Sequence, residues 1–397
     1  MKGAALAAQP AARIAAFSLR RVFIPPCDRY TLAMTCDFYT TDQADILQAQ
    51  RRAQEIVFGP IAFQVARILH KFGILELLAS RKARDGKSLA EICEAVARPT
   101  YPVQVLVESA LSSGILYRRI GVDDEPDRYV ITKTGYLLYS DTMTRVLSDF
   151  MHDVCYRGLH RLEQALESGE PEGLKLDGDW PTLYEALSSL PSPMRESWFT
   201  YDHYFSDCTF PETLAIVFEN HPRRLLDLGG NTGKWALQCV GHSAEVEVTV
   251  MDLPQQIALL QENIRDQTGA DRIHTLPADL LDAQTTIPGG FDTVWMSQFL
   301  DCFSEAQICD ILRRVAASLS ADTRVYINEI FWDRQRFETA SYVLNQSSPY
   351  FTAIANGTSK FLYYPDLLRC IETAGLAVEE IRDGIGWGHT LIRCRRA

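Results

Sequence analysis

The sequence predicts a doubly wound, Rossmann-like α/β domain preceded by an all-helical, winged-helix domain. Two observations predict the α/β half. A short buried strand at 224–228 runs through a glycine-rich loop, 229–233, into a helix that begins at Lys234. A second strand, 247–252, ends in an acid about twenty residues after the glycines. The N-terminal half is predicted by the order helix, helix, helix, hairpin, which is typical of a winged helix.

Composition and charge exclude several classes of protein. The chain has 397 residues, 47% of them hydrophobic and 23% charged, with a formal net charge of −12. This acidity argues against a nucleic-acid or anionic-membrane partner, because phosphate surfaces select an excess of Lys and Arg. No apolar run is long enough to predict a membrane-spanning helix. Ten cysteines without a CxxC pair or zinc-like spacing indicate reduced thiols, so we expect a cytoplasmic protein with no metal site.

The chain divides into four predicted segments: 1–40, 41–139, 140–213 and 214–397. Residues 1–33 contain almost no acid, and arginines interrupt the apolar stretch that a secretory signal needs. We expect a disordered tail or a start codon assigned too early, with Met34 as the true start. A transit peptide is the alternative.

The segment 41–139 is expected to pair subunits. Helical periodicity covers 41–80, Ser88 with Glu91 predicts a capping box, and strands are expected at 114–119 and 128–132. The candidate recognition helix, Pro102–Leu111, has no basic residue, whereas a helix that contacts phosphate needs Lys or Arg. We therefore predict a homodimerisation domain rather than a DNA-binding one. An intrachain core remains the alternative for its apolar helices.

The segment 140–213 is helical and dense in aromatic residues. Some of them, Trp198 among them, are expected to line a ligand pocket, although plain helix packing explains any one of them equally well. His203, just before the α/β domain, is the histidine best placed to act on a substrate.

Further strands of the α/β half predict a nucleoside site. Asp252 ends the second strand, where an acid can accept both ribose hydroxyls. Asp279 follows a third strand unit, where an acid can contact an adenine amino group. A fourth strand runs from Phe291 to Ser297 and Gln298, a fifth covers 323–329, and 384–393 is expected to close the sheet as one strand.

Four motifs together resemble the S-adenosylmethionine-dependent methyltransferases of the plant caffeate O-methyltransferase type and their bacterial polyketide-tailoring relatives. The motifs are Leu226–Gly233, Val250–Gln255, Ala278–Leu280 and Phe299–Glu305, and the resemblance extends over roughly residues 50–395. It implies S-adenosylmethionine as cofactor and a small-molecule acceptor. The implied cofactor contacts are Gly229, Gly230, Asn231 and Gly233 for the methionine part, Asp252 with Leu253 for the ribose, Asp279 and Leu280 for the adenine, and Ser297 with Gln298. Ser297 stands where the family has a lysine.

The resemblance also shows a departure at the catalytic position. Asp301 stands where the family has its general-base histidine. Of the two glutamates that orient that histidine, one matches Glu329 and the other falls at Phe361. Asn356 matches an asparagine that faces the substrate, and Phe303, Trp198 and His203 complete the expected acceptor site.

The change from His to Asp decides the expected chemistry. An unperturbed Asp, with a pKa of about 3.9, is a poor base for a phenol of about 10, but burial among apolar neighbours raises such a pKa. We predict O-methylation of a small phenolic or polyketide-like acceptor, with Asp301 as a tuned base. The alternatives are a carbon or nitrogen acceptor, a cyclase or decarboxylase that no longer methylates, and a winged-helix regulator. Asp301 could also simply cap the following helix.

Overall fold

The computed structural model describes residues 38–397, so the expectations for residues 1–33 and for Met34 lie outside it. The described part of the chain begins with five helices: α1 Ile46–Val57, α2 Gly59–Lys71, α3 Ile74–Ala79, α4 Leu89–Val96 and α5 Thr100–Ser112. The last four of them pack around a small apolar core that includes Leu69, Ile74 and Val107. Ser88 and Glu91 form the predicted capping box at the start of α4. Every residue of α1 is exposed.

The predicted hairpin follows, and its two strands pair antiparallel: β1 Leu116–Arg119 and β2 Arg128–Ile131. The winged-helix order of the sequence prediction is therefore confirmed. The helices that come next are α6 Lys133–Ser140, α7 Thr142–Phe150, α8 Leu162–Ser168, α9 Leu183–Ala186, α10 Ser192–Ser206 and α11 Phe210–Val217. A five-residue π-helical turn, Met151–Cys155, extends α7.

Much of the aromatic density between α7 and α10 is helix packing. The rings of Phe150 and Tyr201 stack with centroids 3.9 Å apart, and Tyr350 meets Phe150 edge-on at 4.9 Å. Indole Nε1 of Trp198 donates a hydrogen bond to the Tyr350 hydroxyl at 2.7 Å. For Phe150 and Tyr201 the packing interpretation is correct, because this cluster joins α10 to the C-terminal half.

The C-terminal half is an α/β domain. Within residues 38–397 it contains a seven-stranded sheet in the order β5-β4-β3-β6-β7-β9-β8, in which the first five strands are parallel and β9 and β8 are antiparallel. The elements are β3 Arg224–Leu228, α12 Lys234–His242, β4 Glu247–Asp252, α13 Pro254–Ile264, β5 Ile273–Pro277, β6 Thr293–Ser297, α14 Glu305–Ser318, β7 Arg324–Glu329, α15 Glu338–Tyr350, α16 Tyr364–Thr373, β8 Leu376–Ile385 and β9 His389–Arg396. A second π-helical turn, Phe351–Ala355, follows α15.

One strand prediction is wrong. The stretch 384–393 is not a single strand, because it contains the end of β8, a turn and the start of β9. Gly384, Gly386 and Gly388 all have positive φ, which glycine adopts at little cost. Alternating apolar residues on both sides of the turn gave the pattern of one continuous strand.

Helices cover both faces of the sheet and enclose two apolar clusters. One lies between the sheet and α14 with α16, and the other between the sheet and α11, α12 and α13. The carboxyl ends of β3, β4, β6 and β7 meet at one edge, where a doubly wound sheet binds its ligand. In the described part of the chain no helix is long and apolar enough to cross a membrane.

Candidate active site

The glycine loop after β3 is packed too tightly for larger residues at its start. Gly229 has a φ of 75°, and a Cβ there would lie 2.2 Å from Cδ2 of Phe299. A Cβ at Gly230 would lie 2.5 Å from Cγ1 of Val250. Gly233 begins α12, where a Cβ would lie 2.9 Å from Cγ of Leu260. These glycines allow bare backbone to approach the end of β6 and α13.

Asp252, the last residue of β4, fixes this loop. Its Oδ2 accepts a hydrogen bond from the Asn231 N–H at 2.8 Å, and its Oδ1 accepts one from Leu253 at 2.7 Å. Loss of solvent around the carboxyl raises the pKa of Asp252 to about 6, against the effect of both hydrogen bonds. Within residues 38–397 the side-chain Oδ1 of Asn231 is buried without a hydrogen-bond partner, so a ligand that donates a hydrogen bond would satisfy it.

Asp279 lies in the loop after β5, two residues beyond the end of the strand. Its Oδ1 accepts a hydrogen bond from the Leu281 N–H at 2.8 Å. The Ala278 N–H donates to the Asp252 carbonyl at 2.8 Å, which holds the two acids at the same edge of the sheet. Leu280 is buried beside them.

A cavity of about 370 Å³ joins these residues to the aromatic segment. Its wall contains most of the predicted cofactor residues, namely Gly229, Asn231, Asp252, Leu253, Asp279, Leu280 and Gln298. It also contains the predicted acceptor residues Trp198, Phe303 and Asn356. A smaller cavity of about 70 Å³ lies along the glycine loop and includes Gly230, Ser297 and His203.

The loop between β6 and α14 is held by a buried glutamate. It contains one turn of 3₁₀-helix, Leu300–Cys302. Oε1 of Glu329 accepts hydrogen bonds from the N–H groups of Phe299 at 2.9 Å and Leu300 at 2.8 Å. Its Oε2 is buried without a partner. Phe361, at the position of the family's second glutamate, is a core residue whose ring packs edge-on against Phe351 at 5.1 Å.

Asp301 is buried in this turn, with only 4% of its surface exposed. It is not part of either cavity wall, although its neighbour Cys302 lines the larger one. The Cys302 thiol lies 3.5 Å from its Oδ1. Desolvation, with a smaller contribution from the charge of Asp202, raises the pKa of Asp301 to about 7. Desolvation first, and the charge of Asp301 second, raise the pKa of Glu329 well above its usual range.

The helix-cap alternative for Asp301 is wrong. Ser304 is the N-cap of α14, where its side chain accepts a hydrogen bond from the Gln307 N–H in a capping box. Asp301 is therefore free of a capping role.

Two protein-family models match the sequence of this chain. A Dimerisation2-like domain matches residues 50–129, and an O-methyltransferase domain matches residues 213–361. The chain belongs to the S-adenosylmethionine-dependent O-methyltransferases. Two solved neighbours, the human N-acetylserotonin methyltransferase and an O-methyltransferase from neocarzinostatin biosynthesis, contain S-adenosylmethionine.

Among related proteins, the methyltransferase is 25% identical over 264 residues to the 3-hydroxy-5-methyl-1-naphthoate 3-O-methyltransferase of Streptomyces sahachiroi, with 66% of this chain and 71% of the relative covered. It is 22% identical over 294 residues to the O-demethylpuromycin-O-methyltransferase of Streptomyces alboniger, with 71% and 72% covered.

Solved structures share the fold of the methyltransferase. A mitomycin 7-O-methyltransferase aligns with a TM-score of 0.64 and 18% identity, covering 88% of this chain and 98% of that one. An O-methyltransferase from neocarzinostatin biosynthesis, solved with S-adenosylmethionine and 2-hydroxy-5-methyl naphthoic acid, aligns with a TM-score of 0.60 and 18% identity, covering 85% and 96%.

Asn356 differs from its expected role in the methyltransferase. Its Nδ2 donates to the Cys302 carbonyl at 2.6 Å and to the Ser359 hydroxyl at 2.8 Å, and its Oδ1 accepts from the N–H groups of Thr358 and Ser359 at 3.0 Å. Asn356 reaches the cavity wall, but its amide is already engaged in holding the turn that carries Asp301.

His203 also lies elsewhere than expected. It lines the smaller cavity, with Nδ1 3.4 Å from Asp207 and Nε2 3.5 Å from the Thr232 hydroxyl. Its ring stacks on Phe199. The aromatic helix α10 therefore presents Trp198 to the larger cavity and His203 to the glycine loop, since residues five apart point to different sides of a helix.

Gln298 is held by a buried histidine, His389. Gln298 has a φ of 46°, and its Oε1 lies 3.2 Å from Nε2 of the buried His389. Burial lowers the pKa of His389 to about 4, so a neutral ring donates this hydrogen bond. Ser297, at the place of the family's lysine, accepts a hydrogen bond from Nδ2 of Asn328 at 2.9 Å.

Three further wall residues carry polar groups that the motifs did not reveal. Asp202 lines both cavities, and its Oδ2 accepts a hydrogen bond from Nδ2 of Asn231 at 3.0 Å. Tyr184 has a buried hydroxyl without a partner, and Glu185 follows it in α9. Their only sequence signal is their place in the aromatic segment before the α/β domain.

Proposed function

We propose that the protein transfers a methyl group from S-adenosylmethionine to a hydroxyl of a small phenolic or polyketide-like acceptor. The observation that supports this most strongly is the single cavity that connects the glycine loop and two acids with an aromatic wall and the Asp301 turn. Methyl transfer requires two reactants held in line, which a continuous cavity provides.

The residues present fit the cofactor. We place its methionine end at Gly229 and Asn231, its ribose at Asp252 and Leu253, and its adenine between Asp279 and Leu280. The unpartnered Oδ1 of Asn231 is an acceptor for the methionine ammonium, and the Asp252 carboxylate suits a diol. Gln298, fixed by His389, completes the wall beside them. When bound, the cofactor supplies a methyl group on a positively charged sulfur.

Asp301 is the proposed proton acceptor for the hydroxyl that is methylated. Its raised pKa matches a base that works near neutral pH. Because Cys302 rather than Asp301 is in the wall, the acceptor hydroxyl has to approach past that thiol. Trp198 and Phe303 provide flat apolar surfaces that orient an aromatic acceptor.

Glu329 has a positioning role in this proposal. Its two accepted N–H bonds hold the turn, and desolvation together with the charge of Asp301 raises its pKa, which favours its neutral form. Two buried carboxyls that influence each other lose their protons in separate steps. Ionisation of either carboxyl therefore disfavours ionisation of the other.

Incubation with methyl-labelled cofactor and a panel of hydroxylated aromatic compounds tests the function. We expect label in at least one acceptor, whose mass rises by one methyl group, with the label released from that product by cleavage of an aryl methyl ether. Calorimetry with S-adenosylhomocysteine should show one site per chain. Binding without label transfer to any hydroxyl, or label on carbon or nitrogen, would contradict O-methylation.

The α1–α2 face supports a homodimer, with one copy contacting a second through it. Its exposed apolar residues include Ile46, at 81% exposure, Ile56, Phe58 and Ile61. Ile56, Phe58 and Ile61 fall at the start of the region that matches a dimerisation-like domain, and Ile46 lies just before it. Burying such a patch against a second copy removes apolar area from water.

Light scattering after gel filtration tests the dimer. We expect the wild type to have the mass of two chains and the Ile56→Asp, Ile61→Asp double variant to have the mass of one. Val122→Asp is the matched control, because Val122 is equally exposed but lies on the β1–β2 turn. A monomeric wild type, or a double variant that remains dimeric, would refute this interface.

A reducing, cytoplasmic location fits the thiols of the protein. All eight cysteines among residues 38–397 are free. In secreted proteins cysteines are usually paired.

A further inference from the structure

The charged residues in the wall of the larger cavity are all acidic within the described part of the chain. They are Glu185, Asp202, Asp252 and Asp279, and no Lys, Arg or His lines this cavity. Two more carboxyls, of Asp301 and Glu329, are buried beside it. The cavity therefore offers no cation to an anionic acceptor.

The wall of the smaller cavity contains a lysine and a histidine, and both are already engaged. Nζ of Lys234 donates to Oδ2 of Asp207 at 2.7 Å, and Nδ1 of His203 lies 3.4 Å from Oδ1 of the same residue. An acceptor in the larger cavity could recruit them only by breaking these pairs.

Asp202 is the acid with a free oxygen at the junction of the two cavities. Its Oδ2 is bound to Asn231 at 3.0 Å, whereas its Oδ1 has no hydrogen-bond partner among residues 38–397. The side chain is 22% exposed and lines both cavities. Its charge is close enough to Asp301 to raise the pKa of that carboxyl. Asp202 therefore faces the region where the acceptor and the catalytic turn meet.

Aromatic residues surround the same region. Trp198 lies one helical turn before Asp202 on α10, and the rings of Phe299 and Phe303 meet edge-on at 4.9 Å. Faces of aromatic rings attract cations, and desolvation strengthens that attraction. Carboxylates and aromatic faces together select a flat, positively charged molecule over a negatively charged one.

We propose that the acceptor is a hydroxylated aromatic compound that carries a protonated amine, and that Asp202 selects it over acceptors that carry a carboxylate. This inference rests on the proposed function for the identity of the cavity. It sets the protein apart from the neighbour that was solved with a naphthoic acid. The amine would donate to Oδ1 of Asp202 while the hydroxyl lies toward Asp301.

The competing occupant for Asp202 is the ammonium of the cofactor itself. The two possibilities differ in what Asp202→Asn changes. If Asp202 binds the acceptor, the substitution alters the preference among acceptors and leaves cofactor affinity intact. If it binds the cofactor, the substitution weakens S-adenosylhomocysteine and leaves the preference unchanged.

Three naphthols test the inference, each with the same hydroxyl and with a carboxylate, a hydroxymethyl or an aminomethyl group on the distal ring. Their binding is measured by calorimetry to protein saturated with S-adenosylhomocysteine. We expect the aminomethyl compound to bind about tenfold tighter than the hydroxymethyl compound and the carboxylate about tenfold weaker, as one charge–charge interaction that water largely screens implies. In Asp202→Asn the three affinities should fall within about threefold of one another.

Glu196→Gln is the matched control, because Glu196 is an exposed acid on the same helix. It should keep the wild-type preference. Three results would overturn the inference. The carboxylate compound could bind as tightly as the aminomethyl compound, none of the three compounds could bind, or Asp202→Asn could keep the wild-type preference. The expected preference without methylation of any hydroxyl would support the inference and contradict the proposed function, so the two failures are distinguishable.

Discussion

The cofactor side and the acceptor side of the larger cavity hold their acids in different ways. Asp252 accepts two backbone N–H groups from residues close in space to the glycine loop. Among residues 38–397 the Asp301 carboxyl has only a 3.5 Å contact with a thiol, and one oxygen of Glu329 has no partner. Hydrogen bonds to a carboxylate favour its ionised form, and burial without them favours the neutral form. The first arrangement suits binding, and the second suits an acid that must gain and lose a proton.

The largest expected effect comes from the acceptor side. Asp301→Asn preserves the size of the side chain but cannot accept a proton. We expect methyl transfer to fall by about 10²–10⁴-fold, the usual contribution of general base catalysis, with S-adenosylhomocysteine affinity unchanged in calorimetry. Asp310→Asn, an exposed acid on α14, should retain the wild-type rate. If Asp301→Asn transfers methyl at the wild-type rate, the base assignment fails.

On the cofactor side, we expect binding to depend on the backbone geometry of the glycine loop and not on the ionisation of an acid. Gly229→Ala forces a Cβ against the Phe299 ring at a positive φ. The loop can relieve strain and overpacking of about 3 kcal/mol by moving out of its binding geometry, and the ligand must then restore that geometry at the same cost, so we expect roughly 100-fold weaker binding of S-adenosylhomocysteine by calorimetry. Gly241→Ala in α12 is the control, because a Cβ there meets nothing within 4 Å. Equal affinity of both variants would contradict the tight packing of the loop.

A smaller effect is expected on the free energy of unfolding, through a buried acid in β3, the strand that leads into the glycine loop. Asp227 in β3 is buried, one oxygen has no partner, and desolvation raises its pKa to about 8. An unfolded Asp ionises near pH 4, so between the two values the native state binds the extra proton and stability falls as pH rises. We expect the wild type to lose about 2 kcal/mol more than Asp227→Asn between about pH 6 and about pH 7.5, measured by urea unfolding. If the free energies of unfolding of the wild type and of Asp227→Asn change equally over this pH range, the raised pKa of Asp227 is contradicted.

Patterns among residues close in sequence explain which parts of the fold and of the site could be predicted. The strand at 224–228, the glycine loop, the strand at 247–252 and the capping box at Ser88 each depend on residues close in sequence, and the structure has them where the sequence predicts them. The cavity then brings seven of the ten predicted cofactor residues to one wall.

Contacts between distant segments were not predictable. Asp202 reaches Asn231 across 29 positions of sequence, and His389 reaches Gln298 across 91. Neither pair leaves a periodic or motif signal. His203 was chosen for its place just before the α/β domain and Asn356 by resemblance alone, and only the fold shows that one faces the glycine loop and the other holds the Asp301 turn.

The pH dependence of a single turnover of methyl transfer tests the central claim most directly, because it reports the ionisation of the base rather than product release. For the wild type we expect the rate to rise with one ionisation near the pKa of about 7 that desolvation gives Asp301. For Asp301→Asn we expect a low rate without that rise. A wild-type rate that is flat through this range, or a rise that persists in Asp301→Asn, would contradict Asp301 as the base.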